Sequence, residues 1–107
     1  MKTDGLLLLY VPCGSLSEAK KIGRTLVDEK LAVCVNVVPR IYSIFRESQK
    51  TKSVSETLLL AKVLKRKKNA VQRRIQQLHS YVVPCICLYS AVHVNQAYLR
   101  WARQSSR

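Results

Sequence analysis

The residues best suited to chemistry are four cysteines and one histidine. Cys13 follows the first apolar run, Cys34 falls in the second, and Cys85 and Cys87 stand two apart after His79. Thiolate and imidazole ligands favour soft ions such as Cu(I) over Mg or Ca. A Cys-x-Cys pair without a second pair at standard spacing is a weak zinc signal. Free cysteine is also among the most often buried residue types, so simple packing is the competing interpretation.

The elements that must position these residues follow from apolar periodicity and capping signals. Ser15 and Glu18 have capping-box spacing and predict a helix start. Pro39 predicts a bend in a long strand rich in Val, Ile and Phe. The predicted order is a strand (6–11), a helix (15–30), the bent strand (32–46), a hairpin loop (47–52), a strand (54–63), a helix carrying Val71, Ile75 and Leu78, a strand (85–89) and a helix (96–103) capped by Asn95.

Two βαβ units joined by a hairpin predict an α+β fold, the ferredoxin-like split βαβ sandwich with an added C-terminal helix. We expect a single domain over residues 1–107, with strand order 4-1-3-2 and the first two helices on one face. The other face is then bare, although strands one and three are apolar. The long strand also leaves an exposed edge, which soluble proteins normally cover. Burial by partner subunits is the economical explanation.

This topology makes the first and last strands antiparallel neighbours. The end of the first strand, at Cys13, is therefore expected near Cys85 and Cys87, with His79 just upstream. A metal site at Cys13, His79 and Cys85 is one hypothesis. A histidine at a helix C-terminus can equally be structural. Cys34 is expected at the other end of the sheet, either as a metal ligand or as a packing residue.

The formal net charge of +13 indicates a polyanionic partner, an anionic membrane surface or a solvated face. The third strand lacks the aromatic residues on which RNA-recognition domains stack bases, so nucleic acid is not expected. No apolar run approaches about 18 residues, and no cleavage pattern follows 6–11, which predicts a cytoplasmic protein without membrane contact. No catalytic triad or Gly-rich phosphate loop is present, so we expect no enzyme activity.

Five segments in register resemble the CutA family of divalent-ion tolerance proteins. They are Leu31-Ala-Val-Cys-Val-Asn36, Ser43-Ile-Phe-Arg46, Glu56-Thr-Leu-Leu-Leu-Ala-Lys62, His79-Ser-Tyr-Val-Val-Pro84 and Tyr98-Leu-Arg-Trp101. The resemblance implies a PII-like fold, a tight homotrimer whose long strands pair between subunits, and a role in tolerance of copper or another divalent metal ion. A PII-like signalling trimer that binds an anionic small molecule through Lys62, and a basic RNA-binding module, are alternatives.

The resemblance also assigns residues. It places Glu56, Lys62, Tyr81 and Trp101 at a cleft between subunits, with a structural ion pair as the competing role for Glu56 and Lys62. The metal candidates become Cys13, Cys34, His79 and Cys85. The sequence departs from the family pattern at three places: the hairpin 46–50 lacks the usual aromatic and glycine, Ser80 replaces a proline, and Cys85 replaces a glutamate.

Overall fold

The computed structural model describes residues 5–107, and the first four residues of the predicted domain lie outside it. In chain order the elements are β1 (Leu6–Cys13), α1 (Leu16–Asp28), β2 (Cys34–Glu47), β3 (Lys50–Leu64), a 3-10 turn (Lys65–Lys67), α2 (Lys68–Leu78), β4 (Cys87–Ser90) and α3 (Gln96–Ser105). No helix in this range is both long enough and apolar enough to cross a membrane.

The four strands form one antiparallel sheet in the order β2-β3-β1-β4. This is the predicted order read from the opposite edge. The ferredoxin-like α+β prediction is therefore confirmed. β4 is shorter than predicted, because it begins at Cys87 and pairs only with residues 7–10 of β1. The last three residues of β1 have β3 on one side only, a position where Pro12 is tolerated because a missing N–H leaves no ladder partner unsatisfied.

The main core lies between the sheet and the first two helices. Alternate residues of β1, at 7, 9, 11 and 13, point toward α1 and α2, as period-two alternation requires. α1 approaches the sheet closely at Gly23, where a Cβ would lie 2.9 Å from Cγ2 of Val35. The core cluster consists of Leu7, Leu9, Val11, Cys13, Ala19, Ile22, Leu26, Ala32, Leu59, Ala61, Val63, Val71 and Ile75.

The opposite face of the sheet is only partly covered. α3 packs on one end of it through a second cluster of Leu6, Val33, Leu64 and Ala102. The rest of this face carries large apolar or aromatic side chains. Leu8, Tyr10 and Val38 are a little more than one third exposed, and Tyr89 is more than half exposed. The bare apolar face predicted from the sequence is present in the folded chain. We call it the open face.

The β2–β3 hairpin extends well beyond the core. Its pairing register shifts between Val38 and Ile41, which confirms the bend predicted at Pro39. The Thr57 hydroxyl donates to the Pro39 carbonyl at 2.9 Å and satisfies that acceptor. The tip is a tight turn in which Ser48 and Gln49 have φ of 52° and 64°. The predicted loop over 47–52 is therefore wrong in length, because Glu47 and Lys50 already pair.

Candidate cation site at the acid end of the sheet

His79 is buried where α2 ends and contacts the end of β1. One ring nitrogen, Nε2, lies 2.9 Å from the Pro12 carbonyl oxygen. The other, Nδ1, accepts the backbone N–H of Tyr81 at 3.1 Å. Since Nδ1 accepts, Nε2 must carry the proton and donate, which is the neutral tautomer. Both nitrogens of the predicted ligand are thus hydrogen-bonded to the backbone.

Glu18 connects α1 to the loop that follows α2. Its backbone N–H donates to the Ser15 hydroxyl at 3.1 Å, which confirms the predicted helix start. Its carboxylate accepts the N–H of Gly14 at 2.9 Å and that of Ser80 at 2.7 Å. Burial acts to raise the pKa of Glu18, but hydrogen bonds from Ser80 and Gly14 lower it below its ordinary value. The carboxylate is therefore ionised at neutral pH.

Cys13 completes a compact group with these two residues. One ligand atom from each of Cys13, Glu18 and His79 lies within 4.8 Å of the others. Metal–ligand bonds of about 2.0–2.3 Å make such a spacing compatible with a bound ion after a small contraction. Burial, followed by the charges of Glu18 and Glu56, raises the pKa of Cys13 to about 12. An ion bound here would have to displace the thiol proton.

Glu56 lies on β3 at the same end of the sheet. The Tyr81 hydroxyl donates to one carboxylate oxygen at 2.7 Å, and the Ser43 hydroxyl donates to the other at 2.5 Å. Burial and then the Glu56 carboxylate raise the pKa of Tyr81 to about 12, so the phenol keeps its proton. The structure thus brings together two of the four residues predicted for the cleft. We call Cys13, Glu18, Glu56, His79 and Tyr81 the acid end.

The acid end carries two carboxylates, those of Glu18 and Glu56. Elsewhere in the described residues, the carboxylate of Glu29 pairs with Arg74 at 2.9 Å and that of Glu47 pairs with Lys52 at 2.6 Å. Between residues 5 and 107, neither acid-end carboxylate forms an ion pair with a lysine or arginine; Glu18 is 4.0 Å from the neutral His79 ring. A basic chain with net charge +13 therefore keeps two carboxylates at one end of its sheet with no lysine or arginine partner among the described residues.

The other two predicted cleft residues lie at the opposite end. The Lys62 ammonium stands 5.4 Å from the centre of the Tyr98 ring, a cation–π contact. The Tyr98 and Trp101 rings are 5.3 Å apart. Cys34 pairs across from Lys62 and packs against the α3 cluster, so it lies away from the acid end, as predicted. Within one chain, the four predicted cleft residues therefore lie in two separate places, Glu56 with Tyr81 and Lys62 with Trp101.

Cys13 and the pair Cys85–Cys87 lie on opposite faces of the sheet, so Cys13 has other neighbours than those predicted. Cys87, at the start of β4, pairs with Tyr10, and both side chains belong to the open face. Cys13 is three residues beyond Tyr10 and therefore points to the helix face. Cys85 is exposed, and its Sγ lies 3.6 Å from that of Cys87. The sequence did not predict that Glu18 lies beside Cys13 and His79. Its capping-box spacing had already explained it as a residue that stabilises the start of α1.

The sequence and the fold of the chain match known proteins. Residues 7–105 match the family described as CutA1 divalent ion tolerance protein. The chain belongs to the CutA family. A CutA relative from Thermus thermophilus, a divalent-cation tolerance protein, is 36% identical over 103 residues, which cover 96% of this chain and 98% of the relative. The crystal structure of CutA1 from Oryza sativa superposes with a TM-score of 0.93 at 30% identity, over 98% of this chain and 96% of that one.

CutA relatives differ in length around this shared domain. The chloroplastic CutA protein of Arabidopsis thaliana is 32% identical over 106 residues, which cover 99% of this chain and 58% of the relative. The chain thus spans nearly all of the bacterial relative and little more than half of the plant one.

Proposed function

We propose that this CutA chain forms a homotrimer that binds divalent cations, with copper the first candidate, in clefts between its subunits and without turnover. The observation that carries the proposal is the pair of carboxylates at the acid end. Within residues 5–107, Glu18 and Glu56 accept hydrogen bonds from neutral groups only, in a chain whose other charges are mostly positive. Their charge remains available to a cation.

Assembly is supported by apolar surface that the single chain leaves uncovered. Tyr42 is 70% exposed and Ile44 is 72% exposed, and both lie on the outer half of the hairpin. This half has no core of its own, since it is two strands wide, and an isolated two-stranded hairpin is marginally stable in water. Partner subunits that cover the hairpin and the open face would bury the apolar side chains of both surfaces. Three subunits is the number implied by the resemblance described above.

Glu56 is the acid-end residue best placed to meet an ion. It is only partly buried, whereas Cys13 and His79 are buried behind it. Tyr81 and Ser43 hold its two oxygens in fixed positions. The Cys13 sulfur behind it, once its proton is displaced, is a soft donor that suits copper better than Mg or Ca. In this arrangement Glu56 binds the ion, Cys13 and Glu18 add ligands, and His79 orients the loop through its two backbone hydrogen bonds.

An anion site at Lys62, the signalling alternative, has less support. The Lys62 ammonium faces the Tyr98 ring in a groove of about 540 Å³ whose lining is largely apolar, including Leu6, Leu8 and Val94. An anionic ligand would need several convergent donors, as bidentate or multiple charge-assisted hydrogen bonds provide. Lys62 is the single charged side chain among the residues that line this groove.

The test is equilibrium dialysis of Cu²⁺, Zn²⁺ and Mg²⁺ against wild type, Glu56→Gln and Glu47→Gln, with mass measured by light scattering. All three proteins also carry Cys85→Ser and Cys87→Ser, so that these two exposed thiols contribute no metal binding. We expect a mass of three chains for all three proteins. Glu56→Gln should bind copper at least about tenfold more weakly, and the control Glu47→Gln should match wild type. Equal copper binding by Glu56→Gln, or a folded wild-type monomer, would reject the proposal.

A further inference from the structure

Cys85 and Cys87 form an exposed dithiol that is separate from the acid-end cluster. Their Sγ atoms are 3.6 Å apart, and neither takes part in a disulfide. Because they are two residues apart at the start of a strand, they share one face. The intervening Ile86 and the following Leu88 pack against the main core and hold this segment in register. The two thiols are thereby fixed on the open face.

The spacing of the thiols suits a metal ion. Two metal–sulfur bonds of about 2.3 Å that span 3.6 Å enclose an angle of about 103°, near the tetrahedral value. A tetrahedral ion bound by both sulfurs has two further ligand positions. Packing does not account for these cysteines within the chain, since both are exposed, unlike the buried Cys13.

We propose that Cys85 and Cys87 bind one thiophilic d10 ion, Cu(I) or Zn(II), through both sulfurs. Soft thiolate ligands select such ions over Mg, Ca and Mn. The dithiol is complete within one chain, so the site requires neither the trimer nor the acid end. The reducing cytoplasm expected from the sequence would keep both thiols available. The chain would then carry a soft-ion site beside its carboxylate site.

The test is an anaerobic titration of reduced full-length protein with Cu(I), and separately with Zn(II), against a competing chelator. The variants are Cys85→Ser, Cys87→Ser and the double replacement, with Cys34→Ser as the matched single-thiol control. We expect wild type to bind one ion per chain more than the double variant does, and that ion to bind at least about tenfold more weakly when either Cys85 or Cys87 is replaced. Cys34→Ser should bind like wild type. The chelator competes with the protein for each ion, and the ion with the lower dissociation constant from the protein is the preferred metal.

Loss of binding in Cys34→Ser, or unchanged binding in the double variant, would overturn the proposal. Circular dichroism of each variant checks the fold, and both replaced side chains are exposed, so no unfolding is expected. Glu56→Gln in the same titration separates the two sites. If it abolishes Cu(I) binding while the double serine variant keeps it, the dithiol inference fails and the acid-end proposal stands. The reverse result supports the dithiol alone.

Discussion

Replacing Glu18 by glutamine removes the carboxylate that joins α1 to the loop after α2. Its oxygens accept the N–H groups of Gly14 at 2.9 Å and Ser80 at 2.7 Å, and the side chain is only 15% exposed. A glutamine oxygen can keep one of these bonds, while its NH₂ group faces the other donor. Losing a charged acceptor and leaving one N–H unsatisfied costs about 1–3 kcal/mol. We expect Glu18→Gln to lower the free energy of unfolding by that amount at neutral pH.

The same loss should depend on pH with a definite sign. The pKa of Glu18 in the folded chain is held below its ordinary value, because the hydrogen bonds to its carboxylate outweigh the effect of burial. A depressed pKa contributes stability that is fully present above the unfolded-state pKa, about 4.3. This contribution disappears as the pH falls through the folded-state value. The difference between wild type and Glu18→Gln should therefore be complete at pH 7 and should shrink in acid.

The assay is urea unfolding followed by the fluorescence of Trp101, at one fixed protein concentration because assembly contributes to stability. The matched control is Glu47→Gln, which removes an exposed carboxylate paired with Lys52. That control should unfold like wild type, since exposed ion pairs contribute little. The reasoning is refuted if Glu18→Gln is no less stable than the control at pH 7. It is also refuted if the deficit stays constant in acid.

Three further predictions concern packing and the hairpin. Gly23→Ala should lower the free energy of unfolding by about 1–3 kcal/mol in urea, because the new Cβ would lie 2.9 Å from Cγ2 of Val35. An unchanged unfolding midpoint would mean that α1 does not pack this closely on the sheet. Replacing Ser48-Gln49 by Asn-Gly should stabilise by up to about 1 kcal/mol, since both residues have positive φ, and lower stability would contradict the turn. Ile44→Asp should give a folded monomer by light scattering and circular dichroism, because it places a charge on the exposed apolar hairpin that partner subunits would cover. An intact trimer would show that Ile44 lies outside the interface.

Most of the fold could be predicted from local signals. The continuous apolar run of β1, the capping residue Ser15 and the bend at Pro39 are each encoded within a few residues. The structure confirms a strand, a helix start and a register shift at these places, although the burial of β1 alternates. Asn95 occupies the predicted N-cap position of α3, but its side chain makes no capping hydrogen bond. A local rule can therefore locate a boundary without identifying what stabilises it.

The candidate site was harder to predict, because it depends on register and on long-range contacts. A change of one residue in where β4 pairs would move Cys87 to the other face, and the sequence does not determine that register. The contact between Glu18 and Ser80 joins residues 62 apart. No local spacing signals it. His79 and Cys13 were correctly predicted to meet, because the end of α2 and the end of β1 must converge in this topology.

The most direct test of the central claim is native mass spectrometry of the Cys85→Ser/Cys87→Ser protein with Cu²⁺, with and without Glu56→Gln. This background removes the dithiol, so any bound copper reports on the acid end. The account predicts three chains with up to three copper ions, and three chains with little copper once Glu56 is replaced. A single chain, or a trimer that keeps its full copper without Glu56, would contradict it.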